Sequence, residues 1–253
     1  MTPQEIDIAE QIAESCSILG ALNVTHESLG HVSYRLDDNT MLIRGKGSGQ
    51  VGLRYAQARD VLKVDFNGNK IEGPDDLQPP SECFIHIWMY KTRPTVQSVI
   101  HAHPEHAVLL TVTGKEILPI YGAFDAGSRL AAKGIPTFQR SLTITDDEHG
   151  EEFAKFMGEK DVCLMRGHGV TVVGDSIERS TLNTIHLDRL TTMTYKAYAI
   201  GIPMPIAEDE IEEIRNRSTD VPRLRGSAGG REGLLASYRY YKDLAADRLR
   251  SGA

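Results

Sequence analysis

Val99-Ile100-His101-Ala102-His103-Pro104 carries two imidazoles two positions apart in an apolar run. On a strand, side chains at i and i+2 leave from one face, so His101 and His103 can address one cation together. They stand at the end of that run, just ahead of a proline that suits a first helical turn. Strand ends are where α/β proteins place ligands. Taken alone, the pair is equally compatible with two core or surface histidines. Arg166-Gly167-His168-Gly169 adds a third imidazole with glycine on both sides, which frees the backbone around it; taken alone, it reads as a tight turn with an incidental histidine. Ser81-Glu82 opens an expected helix 19 positions ahead of His101. A carboxylate there is often no more than a match to the positive end of the helix dipole. Three imidazoles and a carboxylate make a borderline-hard donor set for Zn²⁺, Mn²⁺, Co²⁺ or Fe²⁺.

The remaining histidines carry weaker signals. His86 falls one turn after Glu82 and His106 one turn after His103, positions that fit supporting or structural roles. His26, His149 and His186 have no supporting context, and Cys83 reads as a core residue. The loop Gly45-Lys46-Gly47-Ser48-Gly49 follows Arg44. Its consecutive backbone N–H groups could nest an anion, Arg44 and Lys46 could grip a carboxylate, or the loop is a plain flexible hairpin end.

Periodicity supplies the elements that must hold these groups. Helical spacing of Ile8, Ile12, Ile18, Leu19 and Leu22 predicts an opening helix over 4–22. Residues 30–36 alternate as a strand, Asp37-Asp38-Asn39 turns the chain, and 40–44 returns as a second strand. Val61–Phe66 is a further strand ended by Asn67-Gly68-Asn69. A helix is expected from Glu82 to Lys91, capped by Ser81 and stopped before Pro94. Strands follow at 96–102, 162–166 and 169–173, with a helix from Pro104. Ile177–Ile200 predicts a long helix ended by Gly201 and Pro203. The stretch 218–231, rich in Arg, Gly and Ser, is expected to be a loop, and 234–249 a last helix carrying Tyr238, Tyr240 and Tyr241. Early hairpins and later strand–helix pairs predict an α/β or α+β three-layer domain, with residues 1–217 as its body and 218–253 as part of it.

With 253 residues the chain can bury a large core without staples. A net charge of −7 argues against broad nucleic-acid binding, which needs a basic face. It leaves room for a small basic pocket and a small anionic substrate. Three cysteines at long spacings give no disulfide framework, so reduced thiols in the cytoplasm are expected. The N-terminus lacks a signal-peptide pattern, and no apolar run approaches the length of a bilayer span.

The ordered set Pro80-Ser81-Glu82, His86, Arg93-Pro94, Val99 to Pro104 and Gly167-His168-Gly169 resembles the core of the class II aldolase/adducin family, from about residue 5 to residue 205. The resemblance implies an α/β/α sandwich around a mostly antiparallel nine-stranded sheet. It implies a homotetramer with active sites at subunit interfaces. It also implies that His101, His103 and His168 bind one divalent metal, with Glu82 as a further ligand or an acid/base. The family's enzymes break carbon–carbon bonds while a metal stabilises the charge that develops. Its sugar-phosphate members share a glycine-asparagine pair and a threonine-proline-serine-glycine turn. Here His31 follows Gly30, and the turn reads Ile43-Arg44-Gly45-Lys46-Gly47-Ser48-Gly49. These departures resemble the decarboxylases of hydroxylated aromatic or heteroaromatic carboxylates. His31, Ser33, Arg44, Lys46, Gly47 and Ser81 are therefore the expected substrate-binding residues. Tyr121 lies near where aldolases carry a catalytic tyrosine, with a packed aromatic as the equal alternative, and one of Tyr238, Tyr240 and Tyr241 could reach a neighbouring subunit. The alternatives are an aldolase cleaving a phosphorylated ketose or a 4-hydroxy-2-keto compound, an epimerase (disfavoured because epimerases carry aspartate where Glu82 stands) and an adducin-like scaffold without catalysis.

Overall fold

The computed structural model describes residues 1–216 and 230–251. In chain order they form α1 (Pro3–Ala21), β1 (His31–Arg35), β2 (Thr40–Arg44), β3 (Lys46–Gly47), β4 (Val61–Asp65), β5 (Lys70–Glu72) and β6 (Leu77–Gln78). Then come α2 (Cys83–Thr92), β7 (Ser98–Ala102), α3 (Glu105–Val112), α4 (Gly127–Ala132), β8 (Thr137–Phe138) and α5 (Asp147–Met157). Last are β9 (Val162–Met165), β10 (Gly169–Gly174), α6 (Ile177–Ile200), α7 (Glu208–Asn216) and α8 (Gly230–Ser251). Most of the loop expected over 218–231 lies outside the described residues.

Eight strands form one sheet in the order β5-β4-β2-β1-β7-β10-β9-β8. Every pairing is antiparallel except β8 with β9. The sheet therefore has eight strands where nine were expected. The short β3 and β6 pair with each other instead. The Gly45 amide, bonded to the Asp60 carbonyl at 2.8 Å, ends the β2–β4 ladder before β3 begins.

Strand alternation sorts the core into two layers. Met41, Ile43, Val99, Cys163, Met165 and Val173 point to one face and pack with Ile85, Met89 and Phe153 of α2 and α5. Val32, Leu42, Ile100, Val170 and Val172 point to the other and pack with Ile12, Leu19, Ile185 and Leu187 of α1 and α6. Helix ends are set locally. Thr2 and Glu5 form a capping box with Pro3 at the first turn of α1, and Ser176 caps α6. α2 stops at Arg93, which turns extended ahead of Pro94. α8 lies on α1, where Lys242 pairs with Glu14 and Arg248 donates to the Ala21 carbonyl at 2.9 Å. Among the described residues no helix is long and apolar enough to cross a membrane.

Candidate metal centre

Three elements bring the centre together. β7 is the inner strand, paired on one side with β1 and on the other with β10, so the Cα of His101 faces both His31 and Thr171. His103 leaves the end of β7 on the same side. His168 occupies the short turn from β9 to β10, where Gly167 takes φ +62° and the His168 amide bonds to the Met165 carbonyl at 3.1 Å. At Gly169 a Cβ would stand 2.4 Å from the Ala102 carbonyl and 2.6 Å from His103 Cδ2. Only glycine lets the β10 backbone approach this closely. Glu82 stands at the entrance of α2, whose apolar side is pressed on the sheet.

The four side chains converge. Their ligand atoms all lie within 4.8 Å of one another. His101 Nε2 and His103 Nε2 are 2.8 Å apart. Glu82 reaches His101 Nε2 at 3.5 Å with one oxygen and His168 Nε2 at 3.3 Å with the other. Nitrogen and oxygen ligands of a tetrahedral ion stand roughly 3.3–3.5 Å apart, so the spacing suits one small divalent cation. Two of the imidazoles are held toward the neutral form, the one that ligates. Burial, then the neighbouring His103 and His168, hold His101 well below the usual histidine range. Burial, then His168, pulls His103 down to about 4. Nδ1 of His101 and of His168 is buried without a hydrogen-bond partner. Strand pairing on both sides and stacking on His31, with ring centroids 5.2 Å apart, therefore fix the His101 ring.

The remaining expected site residues divide. His31 lies beside His101 and is buried. Lys46 is half-buried and close enough to press on His31, His101 and His103, with Glu82 favouring its charge; burial, then Arg44, lowers its pKa. Arg44 does not open on the centre. Ile43 shares the α2 face, so its neighbour points through the sheet toward α1. There the Arg44 guanidinium, fully buried, donates to the Ser28 carbonyl at 2.9 Å and to the Val51 carbonyl. Ser33 is sealed under α2, and its hydroxyl is taken up by His86 and Tyr90 at 2.6 Å each. Gly47 lies exposed in the β3–β6 ribbon. The Gly45 and Gly49 amides bond to the Asp60 and Asp76 carbonyls, which breaks up the expected anion nest. Ser81 is exposed in the turn before α2, and Glu82, not Ser81, is the residue at the N-cap, without a side-chain cap bond. Tyr121 packs on Phe124 beside Asp125, whose carboxylate meets His186 at 3.1 Å and Arg189 at 2.8 Å. Within the chain it is not in the histidine cluster; burial and then Asp125 push its pKa up to about 12.

Tyr90 carried no expectation from the sequence, yet it belongs to the surroundings of the centre. Glu82, His86 and Tyr90 recur every four residues, about 6 Å along a helix. They lie over His31, Ser33 and Arg35, which recur every two residues, about 6.6 Å along a strand. The near-equal steps let α2 meet β1 rung by rung: His86 on His31 and Ser33, Tyr90 on Ser33, and Arg35 donating to the Tyr90 carbonyl.

An α/β sandwich with three imidazoles and a carboxylate converging at the end of its inner strand is the architecture of a metal-dependent enzyme. Residues 10–195 match the family described as Class II Aldolase and Adducin N-terminal domain, and the chain belongs to that family. It is 34% identical over 198 residues to the 3,4-dihydroxyphthalate decarboxylase of Arthrobacter keyseri, across 76% of this chain and 79% of that one. It is 23% identical over 205 residues to the L-fuculose phosphate aldolase of Escherichia coli K12, across 80% of this chain and 89% of that one. Its fold superposes on an aldolase II superfamily protein from Pseudomonas syringae with a TM-score of 0.82 at 19% identity, covering 98% of this chain and 95% of that one. The protein is a metal-dependent carbon–carbon lyase.

Proposed function

We propose that the protein removes CO₂ from a hydroxylated aromatic dicarboxylate of the 3,4-dihydroxyphthalate kind. One observation carries this reading: over three-quarters of the chain it is 34% identical to a decarboxylase of that compound, against 23% to a sugar-phosphate aldolase. The Gly45 and Gly49 amides are taken by the Asp60 and Asp76 carbonyls, which agrees with a substrate that has no phosphate.

His101, His103 and His168 would hold a divalent cation, which would supply Lewis acidity at a substrate oxygen, with Glu82 beside them left free for proton transfer. The nitrogen-rich donor set favours Zn²⁺, Mn²⁺, Co²⁺ or Fe²⁺. Lys46, a half-buried cation on the rim, pairs with a substrate carboxylate and orients the ring. The ring carbon that loses CO₂ takes up one proton. Glu82 is our choice for the proton carrier; its carboxylate stands 3.3–3.5 Å from His168 and His101 and accepts from the Ile144 amide at 3.3 Å, which supports that choice.

The reading extends to a homotetramer in the cytoplasm, where the three buried thiols stay reduced. Association is supported by Ile200, the last residue of α6, and by Ile202 and Met204 just beyond it, each more than four-fifths exposed. In such an assembly Tyr121 is free to serve a neighbouring chain's site.

The test is incubation of metal-loaded protein with 3,4-dihydroxyphthalate, following CO₂ and dihydroxybenzoate, in parallel with L-fuculose 1-phosphate. CO₂ release that requires both protein and metal is expected. Aldol cleavage without CO₂ release across a panel of hydroxylated aromatic acids overturns the reading.

A further inference from the structure

A buried chain of polar groups runs from the back of α2 to the centre. Tyr90 Oη lies 2.6 Å from Ser33 Oγ, which lies 2.6 Å from His86 Nδ1, and His86 Nε2 lies 2.7 Å from His31 Nδ1. Each of the four residues is at most 1% exposed. His31 Nε2 is left over, without a hydrogen-bond partner among the described residues, and its ring stacks on that of His101.

One order of protons gives Tyr90, Ser33 and His86 each an acceptor in the chain. Burial keeps Tyr90 a phenol by pushing its pKa up, so its proton is available, and the acceptor in reach is Ser33 Oγ. The Ser33 proton then has two acceptors, His86 Nδ1 at 2.6 Å and the Val99 carbonyl at 3.5 Å, and the shorter contact takes it. Burial holds His86 neutral, its pKa pulled down to about 3, so its one ring proton sits on Nε2 and is donated to His31 Nδ1. The single proton of His31 is therefore on Nε2. In the opposite order His86 donates to Ser33 Oγ, and either the Ser33 proton is left with the 3.5 Å contact to Val99 or the Tyr90 proton is left without an acceptor among the described residues.

We propose that Tyr90, Ser33 and His86 are positioning residues that hold His31 as a neutral imidazole with its proton on Nε2, a fixed hydrogen-bond donor to a substrate oxygen beside the metal. The order of the chain stands whatever the substrate; its use in turnover rests on the reading above. A neutral donor adds directionality without placing a further positive charge next to Lys46 and the three ligating imidazoles.

The experiment is ¹⁵N–¹H NMR of histidine-labelled, Zn²⁺-loaded protein at pH 7, with kinetics on 3,4-dihydroxyphthalate for the unaltered protein, Ser33→Ala and Tyr90→Phe. His31 and His86 are expected in the Nε2–H tautomer. Ser33→Ala is expected to mix the tautomers of His86 and His31 and to lower kcat roughly 10- to 100-fold, with KM and zinc content unchanged; Tyr90→Phe falls between. A proton on Nδ1 of either ring in the unaltered protein, or a doubly protonated ring, overturns the proposal without needing any variant to fold. An unchanged kcat in folded Ser33→Ala overturns the use in turnover. The expected tautomers in a protein that releases no CO₂ confirm the chain and overturn only the choice of substrate.

Discussion

His31 and His101 face each other across one rung of the β1–β7 ladder, and their rings stack with centroids 5.2 Å apart and planes inclined by 30°. One ring belongs to the metal cluster; the other ends the hydrogen-bonded chain from Tyr90.

His101→Ala, His103→Ala or His168→Ala is expected to reduce bound metal well below one ion per chain and turnover at least about 100-fold. Chelation of the unaltered protein abolishes turnover, and re-adding a divalent cation restores it. Metal content by elemental mass spectrometry and CO₂ release check both statements. Full turnover in a metal-free preparation would refute them.

Lys46→Gln is expected to raise KM for the dicarboxylate roughly 10- to 100-fold, the worth of one charge-assisted hydrogen bond, with metal content unchanged. Lys46→Arg recovers part of the loss.

Arg44→Met separates structure from recognition. The buried guanidinium donates to two carbonyls on the α1 side of the sheet, so the variant is expected to lose roughly 2–4 kcal/mol of stability in urea unfolding. KM of the folded fraction is expected to change less than about threefold. A large rise in KM with full stability would return Arg44 to the binding site.

The metal-free protein is expected to lose stability as pH falls from about 6.5 toward 4. Folding pulls the pKa of His86 to about 3 and that of His103 to about 4, below the ordinary value of 6.5. Between those values the unfolded chain binds protons that the native state refuses, so unfolding is favoured on acidification. Urea midpoints at pH 7, 6 and 5 measure the slope, and His86→Gln is expected to flatten it.

Gly169→Ala introduces a Cβ at 2.4 Å from the Ala102 carbonyl and 2.6 Å from the His103 ring. Weaker metal binding is expected with little change in helix content, measured by competition with a fluorescent chelator and by circular dichroism.

Some of this was readable from the chain and some was not. His101-Ala102-His103 and Gly167-His168-Gly169 announce themselves because the relevant spacing is local and the strand parity is fixed. Glu82 is legible only through its order relative to them. Arg44 misleads because alternation fixes which residues share a face but not which layer covers that face. Tyr90 escapes because Cys83, Ile85, Ile87 and Met89 surround it with apolar residues and hide the four-residue recurrence of Glu82, His86 and Tyr90. β8 has two residues and pairs parallel with β9, a relationship that no short-range pattern encodes. α5, capped by Asp146, carries its signal locally in the sequence.

β7 is hydrogen-bonded on both sides, while Lys46 sits on a two-residue ribbon and Tyr121 in an irregular stretch between helices. Replacements on the ribbon or around Tyr121 therefore disturb few backbone hydrogen bonds, whereas a shift of β7 strains two ladders at once and moves His101 and His103 with it.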